Sequence, residues 1–337
     1  MAAPPILVEV TRGTLVESRH TGFAVAVDAR GRVAAAWGDV EPPVYGRSAI
    51  KPLQALPLVE SGAAERYGLG DAELCNACGS HGGEPEHVAL VTAWLARLGL
   101  SPADLECGSH LPSYEPAAHA LLRAGASANN AHNNCSGKHT GMLTHTVHRG
   151  DPTRGYIRPD HPTQRHVRAV LEAMTGLDLA RAPLGVDGCG LPQYAMPLRA
   201  MAQAMARYAD PEHLPAERKA AVLRIRAAIA AKPFYIAGTG RFCTELIQAT
   251  AGRVLVKTGA EGVYIAILPE LGLGVAMKIA DGASRATAVA FGAILRHLGA
   301  LDDAAWRAVS HHVSPILRNR AGTEVGAVRV GPGWLDA

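Results

Sequence analysis

The chain has 337 residues, 48% of them hydrophobic and 19% charged, and its formal net charge at pH 7 is +3. This composition is typical of a globular protein, and the scattered Lys and Arg residues argue against a nucleic-acid surface, which would show a basic stripe. The sequence has no run of about 18 apolar residues that could span a membrane and no N-terminal signal pattern, so we expect a cytoplasmic protein.

The N-terminal part of the chain predicts strands. Residues 23–28 and 33–37 are short apolar runs on either side of Ala29-Arg30-Gly31-Arg32, which is a hairpin signal. The apolar spacing over residues 49–60 then predicts a helix. Ser48 would lie near the first turn of that helix.

The middle of the chain predicts helices, and the C-terminal third returns to strands. Helical spacing begins after Pro85, and residues 101–104 are typical of a helix start. Further predicted helices cover residues 163–175, which Gly176 ends, 197–208 and 215–231, with a final helix over 284–298. The predicted strands cover residues 253–258, 263–268 and 275–280.

The order of strands, helices, strands and helix predicts an α+β fold. We expect an antiparallel sheet built from both chain ends, with flanking helices and a helical region between the two ends. The sheet-forming parts are about residues 1–60 and 250–300, and the helical middle is about 84–232. Because strands from both ends would share one sheet, we expect a single domain over residues 1–337.

Ser48 and Lys51 are the first candidates for catalysis. Residues at i and i+3 of a helix share one face, with Cβ atoms about 5–6 Å apart. A neutral lysine can take the serine proton if burial and nearby positive charge lower its pKa. The first helical turn also offers free N–H groups to an oxyanion. Ser-x-x-Lys is common by chance, however, and taken alone it is more often a surface lysine beside an N-cap serine.

A Lys257-Thr258-Gly259 triplet ends a predicted strand roughly two hundred residues after Lys51. In penicillin-recognising serine enzymes such a triplet lies on the sheet edge beside the nucleophile helix. There the lysine presents a positive charge and the glycine admits substrate backbone. A simple strand-end turn is the alternative interpretation, but the order and context of the two motifs favour a shared site.

Three other segments carry polar residues that a hydrophobic core does not need. Residues 78–83 form a Gly-rich turn before a helix, where a serine or backbone N–H groups could face a ligand, although the glycines could serve conformation alone. Residues 132–141 combine amides, Cys, Lys and His in a Gly-punctuated turn, and residues 186–190 place an acid and a thiol in another. Reduced cysteines favour metal binding or catalysis, but we interpret the lone Cys75-x-x-Cys78 as structural.

These segments carry a resemblance to a known family. The matching blocks are Gly-Arg-Ser-Ala-Ile-Lys-Pro (46–52), Cys-Gly-Ser-His-Gly-Gly (78–83), Asn-Asn-Cys-Ser-Gly-Lys-His (133–139), Asp-Gly-Cys-Gly (187–190) and Lys-Thr-Gly-Ala-Glu-Gly (257–262). Because they span almost the whole chain in order, the sequence resembles the rhizobial-type, or class 3, L-asparaginases. The resemblance implies a fold similar to serine β-lactamases and glutaminases, a homodimer, and hydrolysis of L-asparagine to L-aspartate and ammonia.

Carried over residue by residue, the resemblance implies two Ser–Lys pairs. These are Ser48–Lys51 and Ser80–Lys257, the second lysine being placed by its Lys-Thr-Gly context. Which pair initiates attack stays open, and we expect Ser48 to be the nucleophile and Lys51 its base. No other partner is expected beyond a small-molecule substrate and a second copy of the chain, and we expect neither nucleic acid nor membrane.

Four residues are expected to bind substrate. Asp187 would take the α-ammonium through a charge-assisted contact, and Arg47 would take the α-carboxylate. Asn134 and His139, in the third block, complete the predicted set.

The resemblance also implies a zinc ion near the site, held by Cys135, Lys138 and Cys189 with water. Two thiolates suit Zn²⁺, whereas lysine is a rare ligand because its amine must be neutral. His139 is the more conventional donor and stays the alternative third ligand. Hydrolysis by metal-bound hydroxide would not need Ser-x-x-Lys, so we expect the zinc to order the substrate-binding loops and hold the α-carboxylate.

Two other functions remain open at this stage. The chain could prefer glutamine, a β-lactam or a peptide, although the β-lactam version lacks a recognisable Ser-Asp-Asn motif. It could also be a non-catalytic amino-acid sensor on the same scaffold. The intact candidate residues argue against the sensor, and they are Ser48, Lys51, Ser80 and Lys257.

Overall fold

A computed structural model of the chain describes residues 4–335. Its strands are β1 (Ile6–Arg12), β2 (Leu15–Asp28), β3 (Val33–Trp37), β4 (Pro43–Tyr45), β5 (Leu184–Val186), β6 (Pro192–Pro197), β7 (Leu255–Thr258), β8 (Val263–Leu268), β9 (Leu273–Ile279), β10 (Ile316–Arg318) and β11 (Glu324–Val330). Its α-helices are α1 (Lys51–Gln54), α2 (Leu56–Glu60), α3 (Ala63–Arg66), α4 (Asp71–Ala77), α5 (Pro85–Arg97), α6 (Glu115–Arg123), α7 (Ser136–Arg149), α8 (Pro162–Thr175), α9 (Leu198–Ala209), α10 (Ala216–Ala231), α11 (Phe234–Ala237), α12 (Phe242–Ala249), α13 (Ser284–His297), α14 (Asp303–Ala308) and α15 (Ser310–Val313).

The described residues form two compact units. The first unit contains the chain up to Ala49, Met196–Asp210, and the chain from Glu245 onward. The second unit contains Ile50–Ala195 and Pro211–Thr244. The single domain over residues 1–337 that the sequence predicts stays a prediction.

The first unit is built on an antiparallel sheet in the order β10-β11-β1-β2-β9-β8-β7, with β3 also pairing with β2. Strands from the two ends of the chain are direct neighbours, since Val25 of β2 lies opposite Ala276 of β9 and Val8 of β1 opposite Val330 of β11. All six residues of β8 are buried, because α9 and α13 both pack on this sheet. The predicted α+β fold, with one sheet from both chain ends, is confirmed.

The second unit is mainly helical and is organised around α7. Eleven of the 14 residues of this helix are buried, and α2, α4, α5 and α8 pack against it. β5 and β6 add a short hairpin in which Gly185 lies opposite Gln193. Among residues 4–335, the helices lack the combination of length and hydrophobicity that a membrane span needs.

Four local predictions differ from the structure. The helix expected over residues 49–60 is a 3₁₀ turn at Arg47–Ile50 followed by α1 and α2, because Pro57 has no N–H with which to continue α1. Residues 101–104 form one 3₁₀ turn, in which Asp104 accepts a hydrogen bond from the Ser101 N–H at 2.9 Å, and no long helix follows. In the segment 132–141, which the sequence predicts as a turn, only residues 132–135 lie in the turns before α7, and residues 136–141 belong to the helix. Elements from α14 to β11 follow the helix predicted to be last.

Candidate active site

In the first unit, the end of β7 lies against the segment that carries Ser48. A Cβ on Gly259 would come within 2.9 Å of the Gly46 carbonyl oxygen and 3.2 Å of the Ala49 nitrogen. A side chain would collide with backbone that cannot rotate away, so glycine is required here. The sequence predicts that Gly259 admits substrate backbone, and in this structure it also admits the backbone of the chain itself.

The turn that carries Ser48 holds an unusual backbone conformation. Arg47 has a φ of 49°, in the left-handed region that non-glycine residues rarely adopt, at a cost on the order of 1 kcal/mol or more. Ser48 follows it in the 3₁₀ turn and is half-buried. Lys257 of β7 is almost fully buried, and its ammonium donates to the Thr258 carbonyl at 2.6 Å.

In the second unit, Lys51 is completely buried and faces Ser80. The Lys51 Nζ donates to the Gly79 carbonyl and to Ser80 Oγ, the latter at 3.0 Å. Burial lowers the pKa of Lys51, and the positive charge of Lys138 lowers it further, against the opposing effect of the Cys135 thiol. The sequence does not predict this Lys51–Ser80 contact, which joins one residue from each expected Ser–Lys pair.

The position of Ser80 follows from the turn after α4. The Gly79 N–H donates to the Asn76 carbonyl at 2.9 Å, and the Ser80 N–H donates to the Ile236 carbonyl at 2.8 Å. The next residue, His81, donates its N–H to the Asn134 carbonyl at 3.2 Å. Backbone hydrogen bonds on both sides therefore fix the serine relative to Lys51.

Cys135, Lys138 and Cys189, here called the sulfur–amine cluster, come together in the second unit. All three side chains are at least nine-tenths buried, and the Lys138 Nζ donates to Cys189 Sγ at 3.1 Å. A hydrogen bond from Cys135 lowers the pKa of the Cys189 thiol and raises that of Cys135. Although burial opposes it, the attraction of the two sulfurs raises the pKa of Lys138. The cluster is therefore polarised into a Cys189 thiolate beside a lysine ammonium.

Two separate chain segments deliver this cluster. Cys135 is the residue before α7, and Lys138 lies on the first turn of that helix. Gly137, between them, cannot carry a side chain because a Cβ would come within 1.6 Å of Asn76 Oδ1. Cys189 lies in the β5–β6 turn, which the hydrogen bond from the Asp187 N–H to the Leu191 carbonyl closes at 2.8 Å.

Asp187 and His139 lie close enough to the cluster to act electrostatically on it. The Asp187 carboxylate accepts from the Gly188 N–H at 2.8 Å and from Gln193 Nε2 at 3.2 Å, and it raises the pKa of Lys138. His139 Nδ1 lies 2.7 Å from the Tyr156 hydroxyl, and burial, with the nearby Lys138, lowers the pKa of His139 to about 3. His139 is therefore neutral, and its buried Nε2 has no hydrogen-bond partner among the described residues.

Two neighbouring asparagines behave differently. Asn134, a predicted substrate-binding residue, is exposed, and its N–H donates to His110 Nε2 at 2.9 Å. The Asn133 side chain is buried and accepts from the Cys135 N–H at 2.8 Å while donating to the Cys107 carbonyl at 2.9 Å. Asn133 thus holds the loop before α7, a role that sequence reasoning missed although the residue lies inside a predicted block.

The predicted site residues divide between the two units. Arg47, Ser48 and Lys257 belong to the first unit, and the other predicted site residues belong to the second. Both expected Ser–Lys pairs take one member from each unit, so both stay predictions. Within the second unit, the structure brings Lys51, Ser80 and the sulfur–amine cluster into one electrostatic group.

A comparison of the sequence with protein-family profiles identifies the family of this chain. The sequence profile described as L-asparaginase II matches residues 8–330. The chain belongs to the L-asparaginase II family. It is therefore an asparaginase-type amidohydrolase with a small-molecule substrate, as the five blocks predict. No curated protein matches the sequence, and the homodimer implied by the resemblance stays a prediction.

The comparison with solved structures finds chains of low sequence identity. They include a candidate beta-lactamase from Bacteroides dorei, with 12% identity, a TM-score of 0.42, and coverage of 82% of this chain and 92% of that one. A beta-lactamase from Mycobacterium bovis shows 15% identity and a TM-score of 0.39 over 82% and 94% of the two chains. Simvastatin synthase from Aspergillus terreus shows 13% identity and a TM-score of 0.39 over 77% and 84%. Similarity at this level carries no argument about chemistry.

Proposed function

We propose that the protein hydrolyses L-asparagine to L-aspartate and ammonia through an ester on Ser48. The observation that carries the mechanism is the state of Lys51, which is completely buried, has a lowered pKa and donates to the Ser80 hydroxyl at 3.0 Å. Burial favours the neutral form of a lysine, and a neutral lysine can act as a general base. Membership of the L-asparaginase II family over residues 8–330 supplies the substrate class.

In the first half-reaction, Ser48 Oγ attacks the side-chain amide carbon of asparagine and transfers its proton to the Lys51 amine. The bond between Oγ and carbon forms as the carbonyl π bond breaks to give an oxyanion. The Ala49 N–H already donates to the Gly46 carbonyl at 3.1 Å, so the N–H of Ser48 is the better oxyanion donor. When the oxyanion collapses, the carbon–nitrogen bond breaks, Lys51 returns its proton to nitrogen, and ammonia leaves.

In the second half-reaction, water attacks the aspartyl ester. Its proton passes to a neutral amine, the ester carbon–oxygen bond breaks, and Ser48 Oγ recovers a proton. Ser80, hydrogen-bonded to Lys51 at 3.0 Å, is suited to relay the proton that Ser48 Oγ recovers. Lys257 would assist this proton transfer.

Substrate recognition uses the predicted binding residues. The Asp187 carboxylate, oriented by Gln193 at 3.2 Å, would bind the α-ammonium group. Arg47 would bind the α-carboxylate, and the buried Nε2 of His139 is available to a polar group of the substrate. Asn134, which is exposed in the loop before α7, would offer its side-chain amide to the bound amino acid.

A direct test compares ammonia release from asparagine and from glutamine in one coupled assay. We expect kcat/KM for asparagine to be at least about tenfold higher, since one extra methylene changes binding by about 1–3 kcal/mol in a fitted pocket. Equal or higher glutamine turnover would make the enzyme a glutaminase. Asparagine binding without ammonia release would identify a sensor.

One distance favours a second mechanism. Ser80 Oγ lies 3.0 Å from the Lys51 Nζ, so Ser80 could be the nucleophile with Lys51 as its base. The same acyl transfer would then build the ester on Ser80. The two mechanisms predict different sites of the covalent adduct.

We also propose that the sulfur–amine cluster binds zinc. Its two buried sulfurs are good Zn²⁺ donors, and Cys189 is already held toward its thiolate form. Lys138 is hydrogen-bonded to Cys189 at 3.1 Å, so we propose Lys138 as the third ligand, with His139 as the alternative. Binding must release the protons of Cys135 and Lys138. The ion would supply a fixed positive charge that orders the two loops around the α-carboxylate.

Protein purified without added metal is expected to contain about one zinc per chain at the sulfur–amine cluster. Elemental analysis of a Cys135→Ser variant should show that this zinc is lost, because the hydroxyl is a weak donor. Cys75→Ser changes a buried thiol in the same unit and should retain the metal. An unaltered zinc content in Cys135→Ser would show that the cluster is not the site.

A further inference from the structure

Glu245, His311 and His312 form a separate cluster in the first unit. Each of these three side chains offers one metal-ligand atom, and the three ligand atoms all lie within 4.8 Å of one another. Glu245 lies on α12, and the two histidines lie on α15. None of the three belongs to the asparaginase chemistry described above.

The two imidazoles converge on one carboxylate oxygen. Nε2 of His311 lies 2.9 Å from Glu245 Oε2, and Nε2 of His312 lies 3.0 Å from the same atom. The two rings are only 4.1 Å apart between centroids. Side chains at i and i+1 of a helix normally diverge by about 100°, so helix geometry alone does not bring these two rings together.

The donor set matches a borderline divalent transition-metal ion. Two imidazole nitrogens and one carboxylate oxygen suit Zn²⁺, Co²⁺ or Ni²⁺ better than Mg²⁺ or Ca²⁺, which prefer oxygen. Ligands about 2.0–2.1 Å from a tetrahedral ion lie about 3.3 Å from one another, so small side-chain rotations would bring the three atoms into place.

The exposure of the cluster fits an exchangeable ion. The side chains of His312 and Glu245 are 18% and 28% exposed, whereas that of His311 is 59% exposed. A cation would therefore reach the group from solvent and keep water in its remaining positions. We propose that Glu245, His311 and His312 bind a divalent transition-metal ion of the zinc, cobalt or nickel class.

A bound ion would link two parts of the first unit that are distant in sequence. Glu245 and His312 are 67 residues apart in the chain. α15 is itself held against α13, since a Cβ on Gly292 would come within 2.4 Å of the Val313 side chain. The ion would thus attach α12, which precedes β7, to the α13–α15 region and close a long loop of the unfolded chain.

The experiment is a Co²⁺ titration of the full-length protein, with binding counted by equilibrium dialysis and monitored by absorption. Thiolate-bound Co²⁺ gives a near-ultraviolet charge-transfer band and imidazole-bound Co²⁺ does not, so the new site is distinguishable from the sulfur–amine cluster. We expect one equivalent that adds visible ligand-field absorption without that band. In His311→Ala, the affinity of this site for Co²⁺ should fall at least about 100-fold. Even groups that merely orient a metal ligand contribute about 10–100-fold to metal affinity.

Two further variants complete the test. Glu245→Gln keeps the shape of the side chain and removes its charge, so it should also weaken the binding of this Co²⁺ equivalent. His119→Ala is the matched control, because His119 faces a single carboxylate, that of Glu115, at 3.8 Å, and it should bind Co²⁺ like the wild type. If the wild type binds no equivalent free of the charge-transfer band, or if both His311→Ala and Glu245→Gln retain it, the cluster is a hydrogen-bonded group only and the proposal is wrong. Neither outcome depends on asparaginase activity.

Discussion

Replacing Ser48 by Ala is expected to reduce asparagine turnover by about 10⁴-fold or more, since loss of a nucleophile that acts as part of a unit has effects on that order. The change removes one oxygen from a half-buried side chain. The surrounding turn is held by backbone and by the close approach of Gly259. The free energy of unfolding should therefore change by less than about 1 kcal/mol. Ammonia release and urea unfolding measure the two quantities.

Ser80→Ala is the matched control for this experiment, because it removes the same atom from the other candidate serine, which lies 3.0 Å from the Lys51 Nζ. If Ser48 is the nucleophile, the variant should release about one ammonia per chain in a burst and then stall, because ester hydrolysis lacks its proton relay. Mass spectrometry should locate the aspartyl ester on the peptide that contains Ser48. An ester on Ser80, together with a Ser48→Ala variant that still releases a burst, would assign the attack to Ser80 with Lys51 as its base.

Replacing Lys51 by Met is expected to reduce kcat by about 10²–10⁴-fold, the usual contribution of a general base. Methionine fits the buried space and cannot accept a proton. Lys51→Arg should be equally inactive, because a guanidinium stays protonated at any working pH. Lys278→Met is the control, since the Lys278 amine also donates to backbone carbonyls and also has a lowered pKa.

The pH profile separates a base from a structural role for Lys51. The active form is the neutral amine, so wild-type kcat/KM should rise with pH and level off above the pKa of Lys51. Burial places that pKa below the ordinary 10.5, and the positive charge of Lys138 lowers it further. Residual activity in Lys51→Met should lack this rise. If the rise persisted in the variant with the same midpoint, another group would be the base.

Much of the local structure is determined by the sequence. The two apolar runs around Gly31 pair as β2 and β3, with Val27 opposite Val33. The helix that ends at Gly176 does so because this residue adopts a φ of 77°, which glycine adopts without strain. Such features depend on neighbours a few residues away, so periodicity and turn residues suffice to predict them.

The identity of the chemical groups is also determined by the sequence. The resemblance implies Cys135, Lys138 and Cys189 as one ligand set, and the structure brings these side chains together although 51 residues separate Lys138 from Cys189. The Glu245–His311–His312 cluster was missed, because its members come from two helices and no motif spacing relates them.

Only the tertiary structure decided which groups touch and how they are charged. Lys51 and Ser80 are 29 residues apart, and their hydrogen bond depends on the packing of α1 and on the turn after α4. The lowered pKa of Lys51 and the polarised state of the sulfur–amine cluster follow from burial and from charges a few ångströms away. Both are properties of three-dimensional distance, because desolvation and Coulomb energy depend on surroundings that a local pattern does not encode.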